Sequence, residues 1–523
     1  MTPGMQIRLW YRNASPRQRH STLGVIALAM VVLVTSIVIA PGSKSESHRV
    51  TTSAETSGGA GASEGAAAGS GPSGTSSEAA SASGGGGLAA AGGATTGGLS
   101  GPGARGGPVP GSGGGSGGPG GAVRRIASDR GVTADSVKIG FTVANIGGLN
   151  GAGFVLNIRD DVPQYVQALA DDVNKSGGVN GRKITTYVRK TDLTSQSDQA
   201  AACQAMVNDA KVFGVVDVGA LTDTPAFECV AINNKTPYVH NTIWDTGWLA
   251  RSAGMEVGYQ AAIDRISKTW TRDLAAMNWV GKDAVIGILG DNCAATSPVI
   301  DRVLKPDFAR LPGVKKVVVA KHGCDLQSVV SQPPSFVTQF RAAGVTHVVL
   351  VANYVSVEVF TSTAEQQVYR PKYTFSDWWQ LSSDASAANY NPNQFDGTIG
   401  ISSLGLQLPA SGKAPYPGGE RCMKIATDAH LEPMKYDGRN QELWGMCDNF
   451  FLMIDALRNA GANPTRQAWA QAVQHIGQHP SVMFGPSEFR PGKVTGSDTV
   501  HTMQWQRGCT CYKVISGSRP AAA

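Results

Sequence analysis

The sequence predicts an α/β protein built as two lobes, each a parallel sheet flanked by helices. Three observations predict it. Apolar, β-branched runs alternate with amphipathic helical patterns, as they do when parallel strands are joined by crossover helices. The alternation occurs twice along the chain. From Val123 onward about 400 residues have globular composition, more than one hydrophobic core usually serves.

The elements follow in order. Residues 137–144 (VKIGFTVA) read as a strand, followed by a turn-rich stretch over 145–153. Residues 160–176 place Val162, Tyr165, Val166, Leu169, Ala170 and Val173 on one helical stripe. Gly177, Gly178, Asn180 and Gly181 end that helix. A strand over 183–190, a helix over 197–210, a strand over 212–218, a helix over 222–233 and a short strand over 236–241 complete the first round. A long helix is expected near 257–278. Strands at 284–289, 314–320, 346–351 and 372–376 then alternate with helices at 297–311, 336–343 and 358–367. Beyond residue 398 the pattern weakens, with helices expected at 419–431, 445–460 and 465–476 and extended pieces at 501–506 and 512–515.

Ahead of the globular part, residues 1–21 form a basic tail carrying Arg8, Arg12, Arg17 and Arg19. Residues 22–40 contain no charge and would span about 28 Å as a helix, close to the hydrocarbon thickness of a bilayer. The preceding arginines put the N-terminus in the cytoplasm and the remainder on the extracellular face of the cell membrane. Cleavage as a signal segment, releasing a secreted protein, is the alternative; Pro41 and the length of the apolar run argue for an uncleaved anchor. Residues 41–122 are Gly, Ala and Ser with few large apolar side chains, the composition of a disordered tether.

The net charge of +6 bounds the partners. Seven cations and four glutamates precede residue 123, giving 7 − 4 = +3, and 6 − 3 leaves +3 for the globular part. That balance gives no footprint for nucleic acid. All eight cysteines follow the apolar segment, as expected in an oxidising compartment. Their order suggests local pairs, Cys203 with Cys229, Cys293 with Cys324 and Cys422 with Cys447. Cys509 and Cys511 remain as an awkward pair whose bond would close a very small ring; neither fits a zinc site. No catalytic metal or cofactor is implied. The globular part has no G-x-S-x-G elbow, phosphate-binding loop, H-E-x-x-H pair or dinucleotide-binding glycine run, which argues against an enzyme.

Several stretches carry a family resemblance: VKIGF at 137–141, DDVNKSGGVNGRKI at 171–184, residues 198–218, TPYV at 236–239 and DAVIGILGD at 283–291. On these the chain resembles type I periplasmic binding proteins of the branched-chain (Leu/Ile/Val) amino acid branch, the receptors of ABC importers. The resemblance implies a two-lobe type I periplasmic-binding fold in which crossover strands act as the hinge. Lobe one would hold 136–256 plus 403–480, and lobe two 257–402 plus 481–515. It also implies a small-molecule solute bound between the lobes, an ABC permease as partner, and a Cys pair matching 203 and 229. Open parallel sheets bind at the carboxyl ends of their strands, which points to the same cleft.

Candidate contacts follow from the strand ends and from the resemblance. Thr222 and Asp223 follow the 212–218 strand; Thr222 would offer its hydroxyl to a ligand carboxylate, or either residue would cap the next helix. Asn241 and Thr242 are expected donors, and Trp244 and Trp248 either stack on the ligand or pack between lobes. Asn292 follows the first strand of lobe two, a few residues from where the family often has a Tyr that this chain lacks. Tyr354 would supply an aromatic wall. Asp377 would accept a ligand ammonium, and Trp378 or Trp379, but not both, would face the ligand. The missing Tyr and the available aromatics suggest a bulkier or aromatic-like solute. Two other roles fit the same fold: a ligand-presenting partner of a sensor, and a cell-surface protein without transport.

Overall fold

Strand β1 (Ser136–Asn145) is buried along nearly its whole length, and its long apolar run suits a strand covered on both faces. It lies between β2 (Lys183–Asp192) and β3 (Gly214–Val218). With β4 (Tyr238–Val239) and β5 (Glu256–Val257) these form a sheet of order β2-β1-β3-β4-β5, parallel throughout. The second sheet starts from β6 (Ala284–Asp291), β7 (Val314–His322), β8 (His347–Val351), β9 (Lys372–Phe375) and β10 (Ile399–Ser402), again all parallel. A separate two-stranded ribbon pairs β11 (Gly477–Gln478) with β12 (Glu488–Phe489). Antiparallel β13 (Thr499–Gln506), β14 (Cys511–Val514) and β15 (Arg519–Pro520) then extend the second sheet, whose order is β14-β13-β10-β9-β8-β6-β7 with β15 on β13. The α/β architecture with two mainly parallel sheets matches the expectation.

The computed structural model describes residues 124–145, 159–192, 195–221, 224–241, 245–378, 381–404, 418–435 and 440–521. The expected basic tail (1–21), apolar segment (22–40) and tether (41–122) lie outside the described residues. Among the described residues no helix is long and apolar enough to cross a membrane.

The Asn174–Arg182 run explains how β1 and β2 are brought side by side. Asn174 at the end of helix Val162–Lys175 donates to the Ile184 carbonyl at 2.9 Å and accepts from its amide at 2.7 Å. Gly178 turns the chain at φ +75°, where an added Cβ would run into the Arg182 carbonyl. Arg182 is fully buried and donates to the carbonyls of Thr133 and Ile126 and to Asn463 Oδ1. A buried guanidinium held by several acceptors is the arrangement that makes its burial tolerable.

The chain passes three times between the two sheets: after β5, after β10, and before β13. The first and third passages lie side by side. Gly258 N donates to Val494 O at 3.3 Å, Gly496 N to Gly258 O at 2.8 Å, and Ser497 N to Tyr259 O at 2.7 Å. The expected helix near 257–278 therefore begins only at Ile263, because Glu256 and Val257 pair with β4 and the next residues form this crossover. Strand β10 and the short helix Leu326–Ser331 are further elements that periodicity did not single out. Buried side chains of the two halves join in one apolar network, with the Tyr259 ring 5.5 Å from Phe489 and 6.5 Å from Phe484 at the passages.

All eight cysteines pair. The three local pairs form as the chain order suggests, and Cys509–Cys511 closes its small ring in the turn between β13 and β14.

Candidate functional site

A cleft opens where the carboxyl ends of β3 and β4 face the segment after β9, with about 620 Å³ of empty space that includes open solvent. Its wall combines Asp217 and Asn241 from the first sheet, Asp377 and Ser382 from the second, Gln260 from the first passage and Met483 from the third. Glu442, on helix Gln441–Asn459, completes it.

Each wall residue has a local reason for its place. Asp217 is a buried carboxyl in an otherwise apolar strand. It accepts from the Thr142 hydroxyl and from the amides of Ala220 (3.1 Å) and Leu221 (3.2 Å), an Asx-type turn that bends the chain after β3 through Gly219 at φ +71°. Burial pushes its pKa up, against the pull of those donors. Below it, Glu256 lies 2.9 Å from His240 Nε2 and accepts from Trp248 Nε1 at 2.9 Å, so Trp248 packs inside rather than facing a ligand.

The start of helix Gln441–Asn459 is fixed from behind. Arg159 is buried and donates to Asn440 Oδ1 at 2.9 Å and to the Glu432 carbonyl at 2.7 Å. One turn inside the helix, Gly445 leaves room for Asn241, whose Nδ2 a Cβ there would strike. Farther along, Asp448 accepts from Ser481 Oγ (2.5 Å), Val482 N (2.9 Å) and Met483 N (3.1 Å). That clamp seats Met483 and Phe484 in the cleft wall. Burial raises the Asp448 carboxyl to about 6 in spite of these donors.

The sequence-predicted residues fall unevenly. Asn241 and Asp377 line the cleft. Asp377 is already engaged: Oδ1 accepts from Ser382 Oγ at 2.6 Å, Oδ2 from both Ser403 N and Oγ at 2.6 Å, and Gln260 Nε2 holds its carbonyl at 3.0 Å. Tyr354, at the start of helix Tyr354–Gln366, is close enough to Glu358 and Glu442 for both to raise its pKa, after burial as the main cause. Asn292 is exposed and accepts from Ser297 Oγ at 3.3 Å. Trp378 is buried, with Nε1 3.5 Å from Asp291 Oδ2. None of Tyr354, Asn292 and Trp378 is among the described lining residues. Thr222, Asp223, Thr242, Trp244 and Trp379 lie outside the described residues.

Sequence reasoning missed Asp217, Gln260, Ser382, Glu442 and Met483. A carboxylate inside the apolar run VFGVVDV was a visible signal for Asp217. Glu442 gave none, because an acid in a first helical turn is ordinary dipole chemistry.

Two mainly parallel sheets joined by paired crossovers, with a cleft at their strand ends, fit a known family. A model described as periplasmic binding protein matches residues 157–510. The chain belongs to the periplasmic binding protein family. It is a family of binding proteins and not of enzymes, and it works outside the cytoplasm. The resemblance read from the sequence is thereby borne out. Solved periplasmic binding proteins share the fold. A fatty acid ABC transporter substrate-binding protein from Thermomonospora curvata superposes with a TM-score of 0.56 at 15% identity, covering 76% of this chain and 95% of that one. A leucine-binding protein from Thermotoga maritima gives 0.54 at 11% identity, covering 73% and 99%. A solute-binding protein of an ABC transporter from Rhodopseudomonas palustris, in complex with 3,4-dihydroxybenzoic acid, gives 0.53 at 13%, covering 74% and 98%. No curated protein sequence matches the chain.

Proposed function

We propose that the protein captures a small polar solute, an amino acid or a related compound, in the cleft between two closing lobes and delivers it to an ABC importer. The observation that carries this reading is the composition of the cleft wall, which takes residues from both sheets and from two of the three passages between them. A solute touching all of these stabilises the closed arrangement over the open one, and its binding energy shifts a population and performs no chemistry. The paired segments 258–259 and 494–497 are the bending region. Lobe one comprises 136–256 with 403–480, and lobe two 257–402 with 481–515. Residues 22–40 anchor the receptor to the membrane and 41–122 tether it, so that the lobes search the space above a permease. The similar structures named above carry leucine, fatty acid and aromatic acid in their names, and compounds of these classes are candidate solutes.

Calorimetric titration of the full chain against amino acids, amines, aromatic acids and fatty acids tests this. Saturable heat from one class is expected. No heat from any of them would leave a surface protein without a transport role.

A further inference from the structure

Among its described residues the cleft carries acid and no base. Asp217, Asp377 and Glu442 contribute three carboxyl groups to its wall, and no Lys, Arg or His is among the described residues that line it. Two of the three are engaged inside the protein, Asp217 by Thr142 and the turn amides and Asp377 by Ser382 and Ser403. Glu442 differs: its Oε2 is buried and accepts no hydrogen bond. A second lining atom shares this condition. Asn241 turns Nδ2 toward Met483 Sδ at 3.7 Å, and its buried Oδ1 accepts nothing. Gly445, three residues after Glu442, brings Asn241 against that same helical turn. Asn241 Oδ1 is an acceptor at any pH and Glu442 Oε2 is one once its carboxyl is ionised, and a buried acceptor without a donor is destabilising, more so when charged.

From this pair of acceptors we infer that the cleft selects its solute by a cationic nitrogen, a protonated amine or guanidinium, received jointly by Glu442 Oε2 and Asn241 Oδ1. The inference rests on the receptor reading and sharpens it. It reassigns the ammonium contact from Asp377, whose oxygens are taken, to Glu442. A solute carboxylate finds no cation to pair with among the described residues of this wall.

Protonation supports the assignment. Burial, with the charge of Asp217 second, raises the Glu442 carboxyl to about 8. Other titratable groups facing it are Tyr354 from helix Tyr354–Gln366 and Asp377 beyond β9. Near neutral pH the carboxyl therefore holds a proton, and a cation arriving beside it displaces that proton to solvent.

Calorimetry of the full chain with putrescine, 4-aminobutyrate and succinate, three probes of equal carbon number and falling charge, tests the inference. Affinity should fall in that order, and putrescine binding near pH 7 should release a proton, read as heat that varies with the buffer's ionisation enthalpy. Glu442→Gln should weaken putrescine by at least about tenfold and abolish the proton release, while Asn241→Ala weakens putrescine with the release intact. If succinate or an aromatic acid binds as tightly as putrescine, or Glu442→Gln leaves putrescine unaffected, the inference is wrong and the receptor reading stands. If neither these probes nor the wider solute panel produces heat, the receptor reading falls with it.

Discussion

At the scale of single residues, the cleft is governed by which carboxyls are satisfied. Glu442 has a folded pKa of about 8 against an ordinary 4.5. Between those values the unfolded chain has released the proton that the folded chain retains, so stability falls as pH rises through the window. Urea unfolding followed from pH 5 to pH 8 should show that fall, and Glu442→Gln should make it shallower, the remainder belonging to the other raised acids Asp448 and Glu358; equal slopes in the two proteins would contradict the assignment. Asp377 is the opposite case. Its three donors make it part of the frame that joins the segment after β9 to the one after β10. Asp377→Ala strands a buried amide and two hydroxyls and should lower unfolding free energy by about 2–3 kcal/mol, measured by denaturant titration.

At the scale of elements, β1, β2 and the helix between them were readable because three signals agree there: an apolar run, a 3.6-residue stripe and a glycine-rich stop. The stop is also the most exacting part. Gly178→Ala would need a left-handed residue whose Cβ meets a backbone carbonyl, so melting temperature should drop by several degrees, read by thermal denaturation. A change of under one degree would mean that the turn relaxes freely. Strand β10 was missed for a physical reason. Its few residues include Gly400, which packs under the Phe375 ring, and its pairing with β9 and β13 is long-range, so no local period marks it. The site was harder to read than the fold for a similar reason. Asn241 and Asp377 were findable at strand ends, whereas Glu442 and Met483 reach the cleft only through non-local contacts: Arg159 holds Asn440 from 281 residues away, and the Asp448 clamp holds Val482 and Met483 from 34 and 35 residues away.

At the scale of the whole molecule, the disulfides hold the halves and leave the passages unbridged. Cys203–Cys229 ties two helical segments beside the first sheet, Cys422–Cys447 ties helix Gly419–Asp428 to helix Gln441–Asn459, which packs on β3, and Cys293–Cys324 joins the loops after β6 and β7. Replacing Cys203 and Cys229 by Ser should cost about 3 kcal/mol in denaturant titrations, and replacing Cys509 and Cys511 roughly half of that, because the loop closed is so much shorter. With covalent links confined in this way, the hydrogen-bonded passages at 258–259 and 494–497 are free to act as the bending region. Every cysteine is paired, so new ones can be labelled selectively. Spin labels at Lys211, beside the first sheet, and Lys305, beside the second, would report the inter-lobe distance by pulsed electron resonance. Adding the tightest-binding solute should replace a broad distribution by a shorter, narrower one; an unchanged distribution at saturating solute would contradict closure around the cleft.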